Sequence, residues 1–473
     1  MSGSKTRTHT FMAFFQSQFD AVRRELRPTL EIALPLVVAE LGWMSMSIVD
    51  TIMVGRLPNA ALSIGAVALG SGLFYTTAIF GSGLLLGLDT LVSHAFGRKD
   101  LDDARDSLVS SMAIALGLTP ILMFIVSLWP FLMRKIGVEA EIVRQMVPFL
   151  SALNWSTPPL LLYFGLRRYL QAVSIVKPIT FALISANVIN AVGNWIFIYG
   201  HWGAPAMGLP GSGWSTCAAR VYMALVLLGT LLYFDRKRDL RLWATRWRVD
   251  LRRVRQLLAL GFPAASQILF EIGVFSAATA LCGKLGAVPL AGHQIALNCA
   301  AFTYMVPLGT SSAAAVRVGQ ALGRGDISGA RRAGWTAILL GAGFMACAGV
   351  LFVCFPRQIA RLYTPDPQVI RQGALLLLVA AAFQLFDGLQ TVTTGALRGA
   401  GDTRTPMVAN FVAYWIIGLP VGYVLGFNLG WGAFGLWIGL CLGLILIGTF
   451  LLWIWHRRMQ ERVVGVRLAV SGE

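Results

Sequence analysis

Four acidic side chains interrupt long apolar stretches of the sequence. Glu40 and Asp50 lie in one stretch, and Glu271 and Asp387 lie in two others. A charge at the centre of a lipid bilayer costs roughly 2.5 to 3.5 kcal/mol on insertion scales, so an acid in a membrane span faces a cavity or a partner group. The alternative for each is a structural acid that is hydrogen-bonded to a neighbouring helix. These four carboxylates are the first candidates for chemistry.

Glu271 and Asp387 are the pair that most favours ion binding. Both lie in the second half of the chain, and no Lys or Arg is close to either in sequence. Two carboxylates in one low-dielectric cavity can bind a proton or a sodium ion and release it when the cavity changes. They can also attract an organic cation. Competition between ion and substrate for one such site is sufficient for antiport, and we expect any Na⁺ at Glu271 and Asp387.

Neutral polar residues add a second group of candidates. Asn187, Asn190 and Asn194 follow each other at steps of three and four, which places them on one face of a helix. They could coordinate an ion near Asp50, or they could bind neighbouring helices.

His293 and Gln294 lie early in a further apolar stretch and are supporting candidates, as is Glu40. A single histidine in such a stretch is more typical of a hydrogen-bonded packing residue than of a ligand. We therefore expect His293 to stabilise helix packing and leave Gln294 and Glu40 as open candidates for a supporting role.

The stretches that carry these residues have the composition of membrane spans. Of 473 residues, 56% are hydrophobic and only 13% are charged, whereas soluble proteins carry roughly a quarter charged residues. Apolar runs of about 20 residues match the thickness of a bilayer, and runs without alternating polarity indicate helices. We predict an all-α polytopic membrane protein with twelve spans, at approximately 30–55, 62–90, 107–129, 145–166, 178–200, 209–234, 254–283, 289–315, 333–355, 370–396, 406–427 and 432–455.

Basic residues between the spans predict the orientation. Alternate segments, counted from the N-terminus, hold 30 Lys and Arg residues, and the other loops hold 8. Positive charge favours the cytoplasmic side, so we expect both termini in the cytoplasm of a bacterial cell with the chain in its inner membrane. The predicted parts are a tail at 1–29, a six-helix lobe at 30–234, a basic linker at 235–253, a second six-helix lobe at 254–456 and a tail at 457–473.

The two predicted lobes repeat each other in sequence. With a shift of 228 residues Pro35 falls on Pro263, and with a shift of 226 the segment 95–100 falls on 321–326. An even number of spans in each copy means that both enter from the same side, so they should be related by an axis along the membrane normal. Such paired bundles typically enclose a central cavity.

Several other function classes are disfavoured. The net charge of +17 is spread over short clusters between spans, which does not indicate nucleic-acid binding. Nucleotide-binding and hydrolase motifs are missing, so we expect no enzyme and no cofactor, with an ion gradient as the source of energy. The cysteines lack metal-site spacing and are expected to be buried hydrophobes: Cys217, Cys282, Cys299, Cys347, Cys354 and Cys441.

Several segments, in order along nearly the whole chain, resemble the multidrug and toxic compound extrusion (MATE) family, in particular its NorM-like branch. They are 48–51, 190–200, 270–271, 292–294, 386–390 and 396–399. The resemblance implies two six-helix lobes around a V-shaped cavity and export of cationic, often aromatic compounds in exchange for Na⁺ or H⁺. It also implies that the coupling residues of the family correspond to Asp50, Asn190, Asn194, Glu271 and Asp387. Glu40 departs from that pattern, which leaves open whether the first span carries one coupling carboxylate or two.

The sequence therefore predicts a monomeric secondary active antiporter for organic cations or drugs in a lipid membrane. The alternative is a flippase of the same superfamily that moves lipid-linked glycans. A flippase would need an arginine-lined cavity for a pyrophosphate, and the spans offer essentially only Arg220 as a cation. Na⁺ and H⁺ coupling both remain open.

Overall fold

The computed structural model describes residues 3–58, 60–238 and 249–471, with side chains described for 25–58, 62–237 and 249–464. These residues form helices and turns without a β-strand, which confirms the all-α prediction. The predicted linker at 235–253 and the predicted tails at 1–29 and 457–473 lie partly outside the described residues.

Eight helices occupy the described residues of the first half of the chain. They are α1 (Gly3–Val54), α2 (Ala60–Leu84), α3 (Gly87–Gly97), α4 (Leu101–Ile136), α5 (Ala140–Asn154), α6 (Thr157–Ala172), α7 (Lys177–Tyr199) and α8 (Leu209–Arg238). The second half contains α9 (Leu251–Lys284), α10 (Ala287–Gly323), α11 (Ile327–Cys354), α12 (Pro356–Arg361), α13 (Pro367–Gly399), α14 (Arg404–Asn410), α15 (Leu419–Tyr423) and α16 (Gly432–Ser471). Two π-helical segments, Phe411–Gly418 and Val424–Asn428, flank α15, and the three segments follow each other without a gap.

Eleven helical segments among the described residues are long and apolar enough to cross a membrane. They overlap eleven of the twelve predicted spans. The predicted span 145–166 differs, because the structure divides it at Trp155 and Ser156 into α5 and α6, each shorter than a membrane-crossing helix. Pro158 and Pro159 open α6 at its first turn, where the missing N–H groups would have had no helical acceptor. Trp155 and Ser156 keep backbone angles of the right-handed helical region, so α5 and α6 follow each other directly with a local break before the two prolines.

The turn before α4 and the turn before α11 have the same structure. Asp100 caps α4 by accepting a hydrogen bond from the Asp103 N–H at 3.0 Å, and Asp326 caps α11 by accepting one from the Gly329 N–H at 2.7 Å. Each acid follows a residue with positive φ, 63° at Lys99 and 75° at Gly325. The sequence repeat at a shift of 226 is thus also a repeat of backbone geometry and capping.

The described chain divides into two compact units. The first unit contains Met1–Val37, Ala277–Gly401 and Val412–Glu473, and the second contains Val38–Ser276 and Asp402–Phe411. These boundaries differ from those of the predicted lobes, because α1 and α9 each contribute to both units. Asp50 and Glu271 belong to the second unit, and Asp387 belongs to the first.

The core of the second unit is a cluster of large apolar side chains from seven helices. Its buried members include Phe74 on α2, Val126 on α4 and Met146 and Phe149 on α5. The outward surfaces are apolar too, with 64% of the Phe124 side chain exposed on α4. Apolar groups on the inside and the outside are what a lipid-facing helix bundle requires.

Candidate functional site

Asp50 lies in a hydrogen-bonded cluster of the second unit. Asn194 Nδ2 on α7 donates to Asp50 Oδ1 at 2.6 Å, and Thr216 Oγ1 on α8 donates to Asp50 Oδ2 at 3.3 Å. Asn190 Nδ2 lies 3.4 Å from Thr216 Oγ1, and Asn190 Oδ1 lies 3.4 Å from Asn194 Nδ2. The structure therefore brings Asp50, Asn190 and Asn194 together, as the spacing of the asparagines suggested.

Close packing of α7 against α8 positions this cluster. Gly193 lies where a Cβ atom would meet Ser215 Oγ at 2.5 Å, so only glycine allows the two helices to approach so closely. Ser215 Oγ then donates to the Asn190 carbonyl oxygen at 2.7 Å. This contact places Thr216, the next residue, beside Asp50. Sequence reasoning missed Thr216, since a single threonine in an apolar run gives no signal of the face that it occupies.

The cluster has the composition of a site for a small cation. It combines carboxylate, amide and hydroxyl oxygens, which are the ligands that hard cations take in proteins. Asn190 and Asn194 are fully buried, and Asn194 Oδ1 has no hydrogen-bond partner among the described residues. A proton on Asp50 or a sodium ion between these oxygens would each suit the arrangement. No group of three or more His, Cys, Asp or Glu side chains with metal-site geometry occurs within the described ranges.

Asn187, the first asparagine of the series along the chain, has a different structural role. Its Nδ2 donates to the Gly42 carbonyl oxygen at 3.0 Å and to the Leu183 carbonyl oxygen at 2.9 Å. Asn187 therefore joins α7 to α1 and does not extend the Asp50 cluster. The helix-contact alternative is thus observed at Asn187, and ion binding at Asn190 and Asn194 stays a prediction.

Glu40 is ion-paired with Arg167 on α6. The two side chains are 12% and 3% exposed, so the pair is nearly enclosed. Arg168, the next residue, pairs with the fully buried Asp89 at 3.4 Å. Both arginines lie within α6, whereas the sequence count of basic residues assigned them to a loop. Arg220 is therefore not the only buried arginine of this unit, since Arg167 is buried as well.

Asp387 lies on a polar stripe of α13 in the first unit and is 8% exposed. Gln384, three residues before it, donates through Nε2 to Thr303 Oγ1 on α10 at 2.6 Å. Gln390, three residues after it, accepts a hydrogen bond from the Tyr414 hydroxyl at 3.4 Å. A spacing of three keeps these polar groups on one helix face, which turns away from lipid.

Glu271 lies on α9 in the second unit and is half-buried. Its neighbour Phe270 packs on Phe411 with ring centroids 5.0 Å apart. The predicted pairing of Glu271 with Asp387 joins residues of different units and stays a prediction.

His293 is a packing residue of the first unit. Trp437 Nε1 donates to His293 Nδ1 at 3.0 Å, so this ring nitrogen is the acceptor. The neutral ring then carries its proton on Nε2, which lies 2.8 Å from Thr279 Oγ1. His293 is fully buried, and its two ring nitrogens are both used. Gln294, by contrast, makes a local contact with Asn298 at 3.3 Å on an exposed part of α10.

A protein-family model named MatE matches residues 35–196 and 263–424 of the chain. The two matched segments are offset by 228 residues, the shift that the sequence overlay predicts, which confirms the internal duplication. Together they cover more than half of the chain.

Bacterial relatives match almost the full length. The chain is 36% identical over 445 residues to "Probable multidrug resistance protein NorM" of Mesorhizobium japonicum, covering 92% of the chain and 94% of the relative. It is 34% identical over 440 residues to "Multidrug resistance protein MdtK" of Yersinia enterocolitica, covering 91% and 96%. Among solved structures, the eukaryotic MATE transporter AtDTX14 superposes with a TM-score of 0.83 at 21% identity, covering 93% of this chain and 99% of that one.

Proposed function

Because the chain belongs to the MatE family, we propose that it is a secondary active antiporter that exports organic cations and drugs in exchange for Na⁺ or H⁺. Its bacterial relatives are named multidrug resistance proteins, which together with the many apolar helices supports multidrug efflux by a multi-pass protein of the bacterial inner membrane. The coupling ion and the cationic nature of the substrates are the part that we add. No cofactor is needed, since an ion gradient supplies about 2.3 kcal/mol per charge per 100 mV, plus its concentration term.

The observation that carries the proposal is the buried cluster around Asp50. Its carboxylate is the only charged group in the cluster, and amide and hydroxyl groups surround it within hydrogen-bond distance. Uptake of a proton or Na⁺ would remove the negative charge at low desolvation cost, because the oxygens replace water. Asp387 offers a buried acid in the first unit, and Glu271 offers a half-buried acid on α9. If these acids bind the coupling ion and an organic cation in turn, the two are exchanged across the membrane.

The alternative flippase function is less well supported. A lipid-linked pyrophosphate would need arginines that are available to bind phosphate oxygens. Arg167 and Arg168 are instead ion-paired with Glu40 and Asp89, and Arg220 is enclosed among neutral groups with 1% exposure. These pairs neutralise the cations that a diphosphate would otherwise use.

Export of ethidium from proteoliposomes tests the proposal. The purified chain is reconstituted, and a sodium gradient or a pH gradient is applied separately at zero membrane potential. We expect one gradient to drive ethidium movement and Asp50→Asn to abolish the driven component. Glu271→Gln and Asp387→Asn should each reduce it at least tenfold, while all three variants remain folded.

Glu31→Gln is the matched control for Asp50→Asn. Glu31 lies on the same helix, but it is exposed and forms a surface pair with Arg27 at 3.1 Å. This variant should export ethidium at the wild-type rate. Driven export by Asp50→Asn at the wild-type rate would refute the role of Asp50, and a wild-type protein that responds to neither gradient would refute antiport.

A further inference from the structure

Arg220 is a buried cation without an adjacent carboxylate. It lies on α8 with 1% exposure. Its Nη1 donates to Ser156 Oγ at 2.5 Å, its Nη2 donates to the Tyr75 hydroxyl at 3.2 Å, and its guanidinium lies 4.8 Å from the ring centroid of Phe74. All these partners are neutral, and its Nε has no hydrogen-bond partner in the described part of the chain. A buried charge of this kind is costly unless an opposite charge balances it.

Other buried arginines of the second unit do have acidic partners in direct contact. Arg167 pairs with Glu40, and Arg168 pairs with Asp89. For Arg220, no carboxylate oxygen of the described residues lies within ion-pair distance. The acid that balances it must therefore act over a longer distance.

Asp50 is in the right place to be that acid. Thr216, whose hydroxyl is 3.3 Å from Asp50 Oδ2, lies one helical turn before Arg220 on the same face of α8. Helical side chains lean toward the N-terminus, which directs Arg220 toward the turn of Thr216. The other titratable groups facing Arg220 are the Tyr75 hydroxyl and the Cys217 thiol.

We propose that Arg220 is the fixed counter-ion of Asp50 and a positioning residue that transmits loading of Asp50 to the break between α5 and α6. Ser156, which accepts the hydrogen bond from Arg220, is one of the two residues of that break, and its hydroxyl donates to the Leu153 carbonyl oxygen at 2.5 Å. When Asp50 holds the coupling cation, its negative charge is cancelled and Arg220 becomes an unbalanced buried charge. This conformation then rises in free energy, and one that solvates Arg220 better is favoured. The coupling step rests on the antiport proposed above.

Arg220→Gln tests the counter-ion role by the ion dependence of ethidium export. Loss of a positive charge near Asp50 makes cation uptake easier. The pH of half-maximal driven export should therefore rise by about one unit or, with sodium as the coupling ion, the half-saturating sodium concentration should fall about tenfold. Arg220→Lys, which keeps the charge, should restore the wild-type value. Tyr75→Phe, which removes only a neutral acceptor, should leave it unchanged.

A folded Arg220→Gln protein with the wild-type ion dependence would overturn the proposal. A stability cycle covers the case in which this variant folds poorly. Thermal unfolding in detergent is compared for Asp50→Asn, Arg220→Gln and the double variant. If the two charges balance each other, the double variant is more stable than Arg220→Gln alone; a double variant that is no more stable overturns the pair. This cycle needs no transport, so it separates failure of the counter-ion pair from failure of antiport.

Discussion

Glu40 and Arg167 form a charge pair in an environment from which water is almost excluded. The mutual attraction of such a pair roughly offsets the desolvation of both charges, so the pair adds little net stability. Removal of one partner leaves the other charge buried and unbalanced. The free energy of unfolding should therefore depend on whether one charge or both are removed.

We predict that Glu40→Gln and Arg167→Gln each lower the free energy of unfolding by about 3 to 5 kcal/mol, while the double variant loses much less. Thermal unfolding in detergent measures the stability, and ethidium export measures function. The double variant should keep gradient-driven export, since the pair is expected to hold α1 against α6 rather than to bind the coupling ion. Wild-type stability of Glu40→Gln, or loss of coupling in a stable double variant, would contradict this role.

The hydrogen bond from Trp437 to His293 gives a second prediction. Trp437→Phe keeps an aromatic ring against Phe383, whose centroid lies 5.6 Å from that of Trp437, but leaves His293 Nδ1 without its donor. An unsatisfied buried acceptor costs about 1 to 3 kcal/mol. We expect a lower unfolding temperature with an unchanged ion dependence of export. Trp431→Phe, at a residue that is 51% exposed, is the control and should have the wild-type unfolding temperature.

At the scale of single residues, the sequence predicted the asparagines of the polar cluster but not Thr216, which contacts Asp50 from α8. The steps of three and four between asparagines placed Asn190 and Asn194 on one helix face, and the structure finds both beside Asp50. Thr216 could not be predicted, because its place depends on which face of α8 meets α7. That choice depends on the contact between Gly193 and Ser215, which sequence spacing does not show.

At the scale of elements, the turns before α4 and α11 allow a test of backbone strain. Gly325 has a φ of 75°, and a Cβ built there meets no atom within 4 Å. Gly325→Ala should therefore destabilise the protein by about 1 to 2 kcal/mol through the left-handed backbone alone. Lys99→Gly, at the corresponding turn, should leave the stability unchanged or raise it. Lys99 already adopts a φ of 63°, and glycine adopts such a backbone conformation without strain.

Unfolding temperatures in detergent measure both changes. Gly343→Ala is the matched control, because Gly343 lies inside α11 and its built Cβ also meets no atom within 4 Å. In helical backbone, alanine should be neutral or stabilising by up to about 1 kcal/mol. Equal destabilisation by Gly325→Ala and Gly343→Ala would show that backbone conformation is not the cause.

The helices themselves were largely predictable, since length and apolar composition identify a membrane span without knowledge of its neighbours. The break between α5 and α6 was not. Pro158 and Pro159 inside one apolar run predict a kink, and sequence does not show whether the helix divides there. At this break the Ser156 hydroxyl accepts a hydrogen bond from the buried Arg220, which is 64 residues away in sequence.

At the scale of the whole molecule, the duplication predicts which helices correspond, but it does not predict which functional side chains each copy carries. The segments at 35–196 and 263–424 match the same family model, yet Glu271 falls on Trp43 in the overlay and Lys99 on Gly325. Polar and charged side chains have therefore diverged on a shared scaffold. The roles of Asp50, Glu271 and Asp387 must be tested separately, because symmetry does not transfer a function from one copy to the other.

The distribution of basic residues predicts the orientation of the molecule. Relocation of Arg167 and Arg168 from a loop into α6 removes 2 of the 30 charges on the predicted inner side. The excess over the 8 outer charges remains large, so a cytoplasmic position of both termini is still expected.

A fluorescent protein that folds only in the cytoplasm, fused after Glu473, should therefore be bright. An alkaline phosphatase that is active only outside, inserted after Trp202 in the loop between α7 and α8, should be active. With the two reporters exchanged, the fluorescent protein after Trp202 should be dark and the phosphatase after Glu473 should be inactive. Activity of both exchanged reporters would show that the chain has the opposite orientation, and the side of the membrane on which the cation is released would then be the opposite one.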